Sequence, residues 1–220
     1  MRKQLGRRLV AQFMHPRGLP GRLAGWEMAL RPSNRKRNVW AVSLLDVHPS
    51  DRVLEIGFGP GIAVRELARR ATRGEVVGID RSAVMRAQAA RRNAAAVRAG
   101  RVSLSVASVD DLPDFDRPFD KILAVNTMGG WSEPARRLKE LAGLLRGGGL
   151  LAIVSQPRCP GATADTTAAA ARQIVGQLEA AGFVAIRVET LDLEPPVACV
   201  IGTAPSPAGS STPDDRTGPA

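Results

Sequence analysis

Three glycines at alternating positions, Gly57, Gly59 and Gly61, form the stretch of this sequence best suited to bind a ligand. They follow the apolar run VLEI and precede IAVRELARRA, which has the periodicity of an amphipathic helix. Glycine permits positive φ angles and lets a ligand lie against the main chain. The first turn of a helix offers unpaired N–H groups to a carboxylate or phosphate. The loop therefore predicts a nucleotide-like ligand.

The position of the third glycine separates two classes of nucleotide site. A dinucleotide site requires G-x-G-x-x-G, with its third glycine where the helix packs against the strand. Counted from Gly57, that position is Ile62, so the dinucleotide fingerprint is absent. An NAD-dependent oxidoreductase is therefore disfavoured, while a non-catalytic nucleotide binder stays open as an alternative.

The elements that must position this loop alternate between strand and helix. Apolar runs predict strands at 52–57, 75–80, 101–108, 119–126, 150–156, 183–193 and 195–204. Helical patterns lie at 62–71, 82–100, 133–149 and 163–182, and a helix after Ser33 is expected to precede the first strand. Strands that are apolar throughout indicate a parallel sheet buried on both faces. The expected fold class is α/β, a single domain with a seven-stranded, mostly parallel sheet, an antiparallel last strand and helices on both faces.

The positive charge is concentrated at the start of the chain. Residues 1–40 contain ten Lys or Arg and one acid, Glu27, and so carry +9 of the net charge of +10. Such a segment favours an anionic partner, although a solvated arm is the alternative. We expect a basic lead-in or lid at 1–37, the domain at 38–204 and a disordered tail at 205–220, where no large apolar side chain occurs.

Composition excludes several classes of protein. The two cysteines are far apart, with no CxxC or Cys/His cluster, so neither a disulfide framework nor a metal site is expected. The amino terminus lacks the apolar stretch of a signal peptide, and no run approaches the ~18 apolar residues of a membrane helix. A cytoplasmic protein with no membrane partner is expected. The abundance of arginine and alanine resembles proteins of GC-rich bacteria.

The motifs VLEIGFGPG and VVGID resemble those of the class I S-adenosylmethionine-dependent methyltransferases. Glu55 and the three glycines match the family's first motif, and Asp80 matches the acid that ends its second strand. LSVASVDDLP, FDKILAVNTMGGWSEPARRLKELAGLLRGGGLLAI and a closing strand pair continue the match in family order across residues 39–203. The resemblance implies the Rossmann-like class I fold, S-adenosyl-L-methionine as cofactor and S-adenosyl-L-homocysteine as product.

The resemblance also implies a role for each matched position. Glu55 would orient the loop and help to bind the methionine ammonium, and Asp80 would hold the ribose diol. Arg81 would cover the adenine. The other expected cofactor contacts are Gly57, Phe58, Gly59, Pro60, Gly61, Ser108, Val109 and Asn126. Because the family often has an aspartate at the position of Ser108, Asp110 is an alternative partner for the adenine amino group.

The methyl acceptor is less evident than the cofactor. Methyl transfer from a sulfonium depends mainly on positioning, and a base is needed only when the acceptor must lose a proton. NTMGGW lacks the two prolines of enzymes that methylate exocyclic amines, and Cys159 lacks the context of a pyrimidine C5 nucleophile. His15 is the candidate base, and the candidate acceptor contacts are Trp26, Asn38 and Trp131.

The segment FMHPRGLPGRLAGWEMALRPSNRKRN resembles the leader of a bacterial subgroup of small methyltransferases, in which it closes over the cofactor. The resemblance would place Asn34 or Asn38 beside the cofactor and make the basic residues a lid edge that attracts an anionic acceptor. We therefore predict a methyltransferase acting on O or N of a small molecule. The alternative is an RNA methyltransferase that uses residues 1–37 as a phosphate-binding arm.

Overall fold

The computed structural model describes residues 31–206. Its helices are α1 Pro32–Leu44, α2 Ile62–Arg70, α3 Ala83–Arg92, α4 Ala94–Arg98, α5 Pro134–Leu144 and α6 Ala164–Ala180, with a short 3-10 helix at Met128–Gly130. Its strands are β1 Arg52–Ile56, β2 Glu75–Asp80, β3 Val102–Val106, β4 Phe119–Val125, β5 Leu145–Ser155, β6 Val184–Leu191 and β7 Val197–Thr203.

The seven strands form one sheet in the order β3-β2-β1-β4-β5-β7-β6. β1 to β5 pair in parallel, and β7 runs antiparallel between β5 and β6. The predicted α/β fold with an antiparallel last strand is confirmed. Strand order reverses between β1 and β4, so the carboxyl ends of these strands border the crevice where open α/β sheets bind ligands.

Two apolar clusters bury the two faces of the sheet. Val53 and Leu54 are neighbours on β1 and both fully buried, but they belong to different clusters because successive side chains point to opposite faces. The first cluster includes side chains of α1, α2 and α3, and the second includes side chains of α5 and α6. Burying a side chain such as Leu54 stabilises the fold by about 1.5–3 kcal/mol. The unbroken apolar strands follow from this double burial.

Some predicted boundaries were wrong. Helix α1 begins at Pro32, with Arg31 at its N-cap, so Ser33 lies inside the first turn, where proline is well tolerated. This helix also crosses the expected boundary between residues 37 and 38. The helix predicted over 82–100 divides at Asn93, whose side chain donates to the carbonyls of Ala89 and Gly61.

The helix predicted over 133–149 was too long at its carboxyl end. It ends at Leu144, and the next five residues form the start of β5. Leu145 pairs with Phe119 of β4 and is buried. Pairing with the neighbouring strand therefore overrides the local helical pattern.

Candidate active site

A cavity of about 730 Å³ lies at the carboxyl ends of β1 to β4, a size typical of small-molecule sites. Helix α1 and the loop after β5 complete its wall. The predicted cofactor residues that line it are Glu55, Gly57, Phe58, Gly59, Pro60, Asp80, Arg81, Ser108, Val109 and Asn126. Gly61 is not in the lining and forms the N-cap of α2 instead.

Gly57 and Gly61 occupy positions of the loop where neighbouring residues leave no room for a side chain. Gly57 has φ +71°, and a Cβ placed there would lie 2.2 Å from Cγ2 of Thr127. Gly61 has φ +78°, and its Cβ would lie 2.7 Å from Cβ of Ala89 on α3. Both positions combine a left-handed backbone with a contact that no side chain can share. The third glycine therefore serves the packing of α2 on α3.

Asp80 fastens the glycine loop to the end of β2. Its Oδ2 accepts the backbone N–H of Gly59 at 2.8 Å, and its Oδ1 accepts that of Ser82 at 2.8 Å. Burial raises the pKa of Asp80, while these two hydrogen bonds oppose the rise. Each carboxylate oxygen still has acceptor capacity, so Asp80 can also bind a pair of hydroxyl groups.

Glu55 presents a buried carboxyl group without a full set of partners. The residue is only 2 % exposed, and its Oε2 has no hydrogen-bond partner among the described residues. Burial, followed by the charge of Asp80, raises the pKa of Glu55 well above its usual range. The backbone amide of Val64 in the first turn of α2 hydrogen-bonds the carboxyl group and opposes this rise. Glu55 therefore orients α2 and offers one free acceptor to a cationic group.

Ser108 and Asp110, in the loop after β3, differ in their relation to the cavity. Ser108 lines the cavity, and its Oγ accepts the backbone N–H of Asp110 at 3.1 Å. Asp110 is not among the lining residues; its Oδ1 accepts the N–H of Ser132 at 2.8 Å and lies 3.8 Å from Nε of Arg137. The Oδ2 of Asp110 lies 3.5 Å from Oγ of Ser108, so Asp110 as the partner of the adenine amino group stays a prediction.

The exit of β4 contributes polar and aromatic groups. Asn126 adopts φ +56°, and its Oδ1 accepts the backbone N–H of Gln156 at 2.7 Å. The half-buried Trp131 lines the cavity after the 3-10 helix. Nη2 of Arg81 would lie 3.2 Å from a Cβ on Gly130, so the Arg81 side chain reaches from β2 to this segment.

Helix α1 covers the cavity with a polar face. Asn34, Arg37, Asn38 and Ala41 are all buried, as their helical spacing allows. Nδ2 of Asn38 donates to the carbonyl of Asn34 at 2.7 Å. Arg37 donates to Oε1 of Gln156 and to Oδ1 of Asn34. Burial, and secondarily the charge of Arg158, lowers the pKa of Arg37 to about 9.

Comparison with known proteins assigns the family. A family model described as a methyltransferase domain matches residues 53–149. The uncharacterized methyltransferase YdaC of Bacillus subtilis is 32% identical over 186 residues, which cover 84% of this chain and 99% of YdaC. The chain belongs to the class I S-adenosylmethionine-dependent methyltransferases. S-adenosyl-L-methionine is therefore the cofactor of this methyltransferase.

Solved structures show the same fold. A SAM-dependent methyltransferase from Aquifex aeolicus superimposes with a TM-score of 0.65 at 21% identity, over 81% of this chain and 96% of the other. The N-methyltransferase NodS from Bradyrhizobium japonicum, determined with S-adenosyl-L-homocysteine, gives a TM-score of 0.64 at 16% identity, over 91% and 98% of the two chains. The methyltransferase thus shares its architecture with enzymes of low sequence similarity.

The cavity of the methyltransferase fits the chemistry of this cofactor. The free oxygen of Glu55 suits an ammonium group, and the carboxylate of Asp80 suits a diol. The cavity-lining Gly59 has no atom within 4 Å of the place a Cβ would take, so the main chain is bare there. These three features converge on one cavity.

Sequence reasoning missed two arginines of the site. Arg37 was counted only with the lead-in charge, and Arg158 was not considered, yet both line the cavity. The helical spacing of Arg37 from Ala41 was a usable signal for burial on the domain side. The place of Arg158 just after β5, at the ligand-binding end of the sheet, was the corresponding signal.

The remaining candidates are not among the cavity-lining residues that the structure describes. His15 and Trp26 fall outside residues 31–206. Cys159 is exposed and is not part of the cavity lining.

Within the described chain, no group of three or more His, Cys, Asp or Glu is arranged to hold a metal ion. None of the helices that the structure describes is long and apolar enough to span a membrane.

Proposed function

We propose that this methyltransferase transfers the methyl group of S-adenosyl-L-methionine to an oxygen or nitrogen of a small-molecule acceptor. One observation carries the proposal: the expected cofactor residues other than Gly61 share a single cavity of about 730 Å³ with the acceptor candidates Asn38 and Trp131. A nucleotide-sized ligand and a small acceptor can therefore meet without another domain. Helix α1 contributes the polar side chains of Asn34, Arg37 and Asn38 to the wall of this cavity.

The residues divide the work of binding as follows. Glu55 accepts the methionine ammonium, and Asp80 accepts the ribose hydroxyls while holding the amide of Gly59. Arg81 covers the adenine, and Ser108 with Val109 contacts its edge. The remaining cofactor contacts come from the main chain of the loop and from the exit of β4, at Gly57, Phe58, Gly59, Pro60 and Asn126, while Gly61 supports the loop by packing α2 on α3.

The protein contributes mainly orientation and exclusion of water. When bound, the cofactor supplies an electrophilic methyl group on a sulfonium, so the acceptor needs a lone pair aligned with the carbon–sulfur bond. Trp131 and Asn38, which both line the cavity, position the acceptor. Glu55 and Asp80 are the only acids among the described residues that line it, and both serve the cofactor. An acceptor that must lose a proton would use His15 or solvent.

RNA is the alternative acceptor, and the charge of the amino-terminal segment favours it. Residues 1–40 carry +9, which suits phosphate contacts. The small-molecule proposal ranks first because Asn126-Thr127-Met128-Gly129 departs from the motif of amino-directed nucleic-acid enzymes.

Calorimetry with S-adenosylhomocysteine tests the cofactor roles. Asp80→Ala removes the diol acceptor and the anchor of the Gly59 amide. Gly59→Val puts a branched side chain at φ +51° and into the cavity. We expect each change to weaken binding at least about tenfold, equivalent to ~1.4 kcal/mol. Asp114→Ala is the matched control, because Asp114 is exposed and outside the cavity. Unchanged affinity in both site variants, with folding intact by circular dichroism, contradicts the assignment.

A further inference from the structure

Arg37 is a buried cation held by neutral groups. It is 3 % exposed, and its two hydrogen bonds to described residues end on the side-chain carbonyls of Gln156 and Asn34. Its Nε has no hydrogen-bond partner among these residues. A buried guanidinium without a carboxylate is costly unless an anion completes its surroundings.

Arg158 adds a second positive charge to the same wall of the cavity. Both arginines line the cavity, and burial, with the charge of Arg158 as the second cause, lowers the pKa of Arg37. Neither forms an ion pair with a carboxylate of residues 31–206. Neither acid of the cavity lining pairs with the two arginines among the described residues: Asp80 accepts the backbone amides of Gly59 and Ser82, and Oε2 of Glu55 has no hydrogen-bond partner there.

The two arginines lie at the end of the cavity away from Asp80. Gln156, which accepts from Arg37, donates its own backbone N–H to Asn126, so this cluster sits at the exits of β4 and β5. Asp80 ends β2, on the other side of β1. With strands about 4.8 Å apart, β2 and β5 are separated by roughly 14 Å. A ligand anchored at Asp80 thus leaves the arginine end for its far portion or for a second ligand.

We propose that Arg37 and Arg158 bind an oxyanion of the methyl acceptor, a carboxylate or a phosphate. The inference rests on the proposed function, because it assumes an acceptor in this cavity. The cofactor carries one carboxylate, which can neutralise one guanidinium, whereas the wall presents two. Guanidinium groups suit this task because their parallel N–H donors match the geometry of carboxylate and phosphate oxygens.

Titration of inorganic sulfate into the protein saturated with S-adenosylhomocysteine tests the subsite. The arginine Nε–Hε signals are followed by ¹⁵N NMR, with dimethyl sulfone as the uncharged control. We expect sulfate to shift two arginine signals and Arg158→Met to weaken sulfate binding at least fivefold. Arg172→Met, an equal loss of charge on the exposed face of α6, should leave sulfate binding unchanged. Absence of sulfate binding to the saturated wild type, or equal binding in Arg158→Met, overturns the proposal.

A second measurement separates the acceptor from the cofactor's own carboxylate. S-adenosylhomocysteine and 5′-methylthioadenosine, which lacks the amino-acid portion, are titrated into the wild type, Arg37→Met and Arg158→Met. Unchanged affinity for 5′-methylthioadenosine shows that a variant retains the nucleoside site. If the variants weaken S-adenosylhomocysteine alone and sulfate shifts no arginine signal in the saturated protein, the arginines hold the cofactor and the proposal is overturned. If the wild type binds no S-adenosylhomocysteine, the proposed function fails, while sulfate binding to the free protein that Arg158→Met removes still supports the anion subsite.

Discussion

At the scale of the residue, the methyltransferase keeps an acid where burial opposes its ionisation. Glu55 sits in the middle of the sheet, its pKa is raised by burial and by Asp80, and one of its oxygens is without a partner among the described residues. Above the ordinary pKa of a glutamate, the unfolded chain releases this proton more readily than the folded chain. Glu55 therefore lowers the stability of the ligand-free protein as pH rises through that interval.

Glu55→Gln should raise stability and weaken ligand binding together. The substitution removes the cost of a buried charge, so we expect a higher Tm of the ligand-free protein at pH 7–8, with the difference vanishing toward pH 4. It also removes a charged acceptor for an ammonium, an interaction of about 1.5–3 kcal/mol, so affinity for S-adenosylhomocysteine should fall roughly tenfold or more. Calorimetry and thermal unfolding across pH measure both effects. Glu179→Gln, on an exposed position of α6, is the control; a lower Tm for Glu55→Gln at every pH would contradict the account.

Among the secondary-structure elements, helices α2 and α6 differ in how their N-termini are capped. Helix α2 starts at the left-handed Gly61, which has no side chain that could cap it, and Glu55 of β1 hydrogen-bonds the backbone amide of Val64 in its first turn. Helix α6 has a complete capping box between Thr163 and Thr166, away from the cavity. Backbone N–H groups at the N-terminus of α2 therefore remain available to a ligand in the cavity, whereas those at the N-terminus of α6 are capped by Thr163 and Thr166.

Thr163→Ala should lower stability without affecting the site. Loss of the Thr163 hydroxyl leaves the backbone N–H of Thr166 without its acceptor, which costs about 1 kcal/mol of folding free energy. Urea denaturation measures this cost, and affinity for S-adenosylhomocysteine should stay the same. Thr72→Ala provides the comparison, since Thr72 is exposed and its side chain has no hydrogen bond within residues 31–206. Equal stability of the two variants would argue against the capping role.

Much of the fold, but less of the site, was predictable at this scale. The strands and the Ser82 cap of α3 follow from local patterns, and Ser82 indeed accepts the N–H of Met85. The break at Asn93 was not predictable, because its side chain donates to Gly61, 32 residues away. The Asp110 contact with Arg137 likewise depends on how β3 and α5 lie in the fold.

At the scale of the whole molecule, ligand binding and folding are coupled. A ligand that binds only the folded state stabilises it by about 2.7 kcal/mol at one hundred times its Kd. For a chain of this length, we expect S-adenosylhomocysteine at that concentration to raise Tm by roughly 5–10 °C. Differential scanning fluorimetry measures the shift. Asp80→Ala at the same ligand concentration should show much less of it, and an equal shift in that variant would remove Asp80 from the site.

The basic amino-terminal segment allows an experiment that distinguishes a small-molecule acceptor from RNA. For a small-molecule enzyme, we expect RNA affinity no tighter than roughly micromolar at physiological salt, declining steeply as salt is added. Removing residues 1–30 leaves α1 with Arg37 in the chain and takes away six of the ten early basic residues. Filter binding at several salt concentrations compares the two proteins. Tight RNA binding that this deletion abolishes, together with methylation of RNA, would favour the alternative acceptor.

The sequence alone determined the donor side of this protein. The glycine loop, Glu55 and Asp80 lie within 26 residues of one another, and their meaning depends on backbone conformation and on a single strand-helix-strand unit. Only the tertiary structure brought together the residues that we propose for the acceptor. Arg37 and Gln156 are 119 positions apart, and they meet only because β5 lies beside β4 and α1 folds over that end of the sheet. Local spacing carries no record of such a contact, since the order of the strands in the sheet creates it.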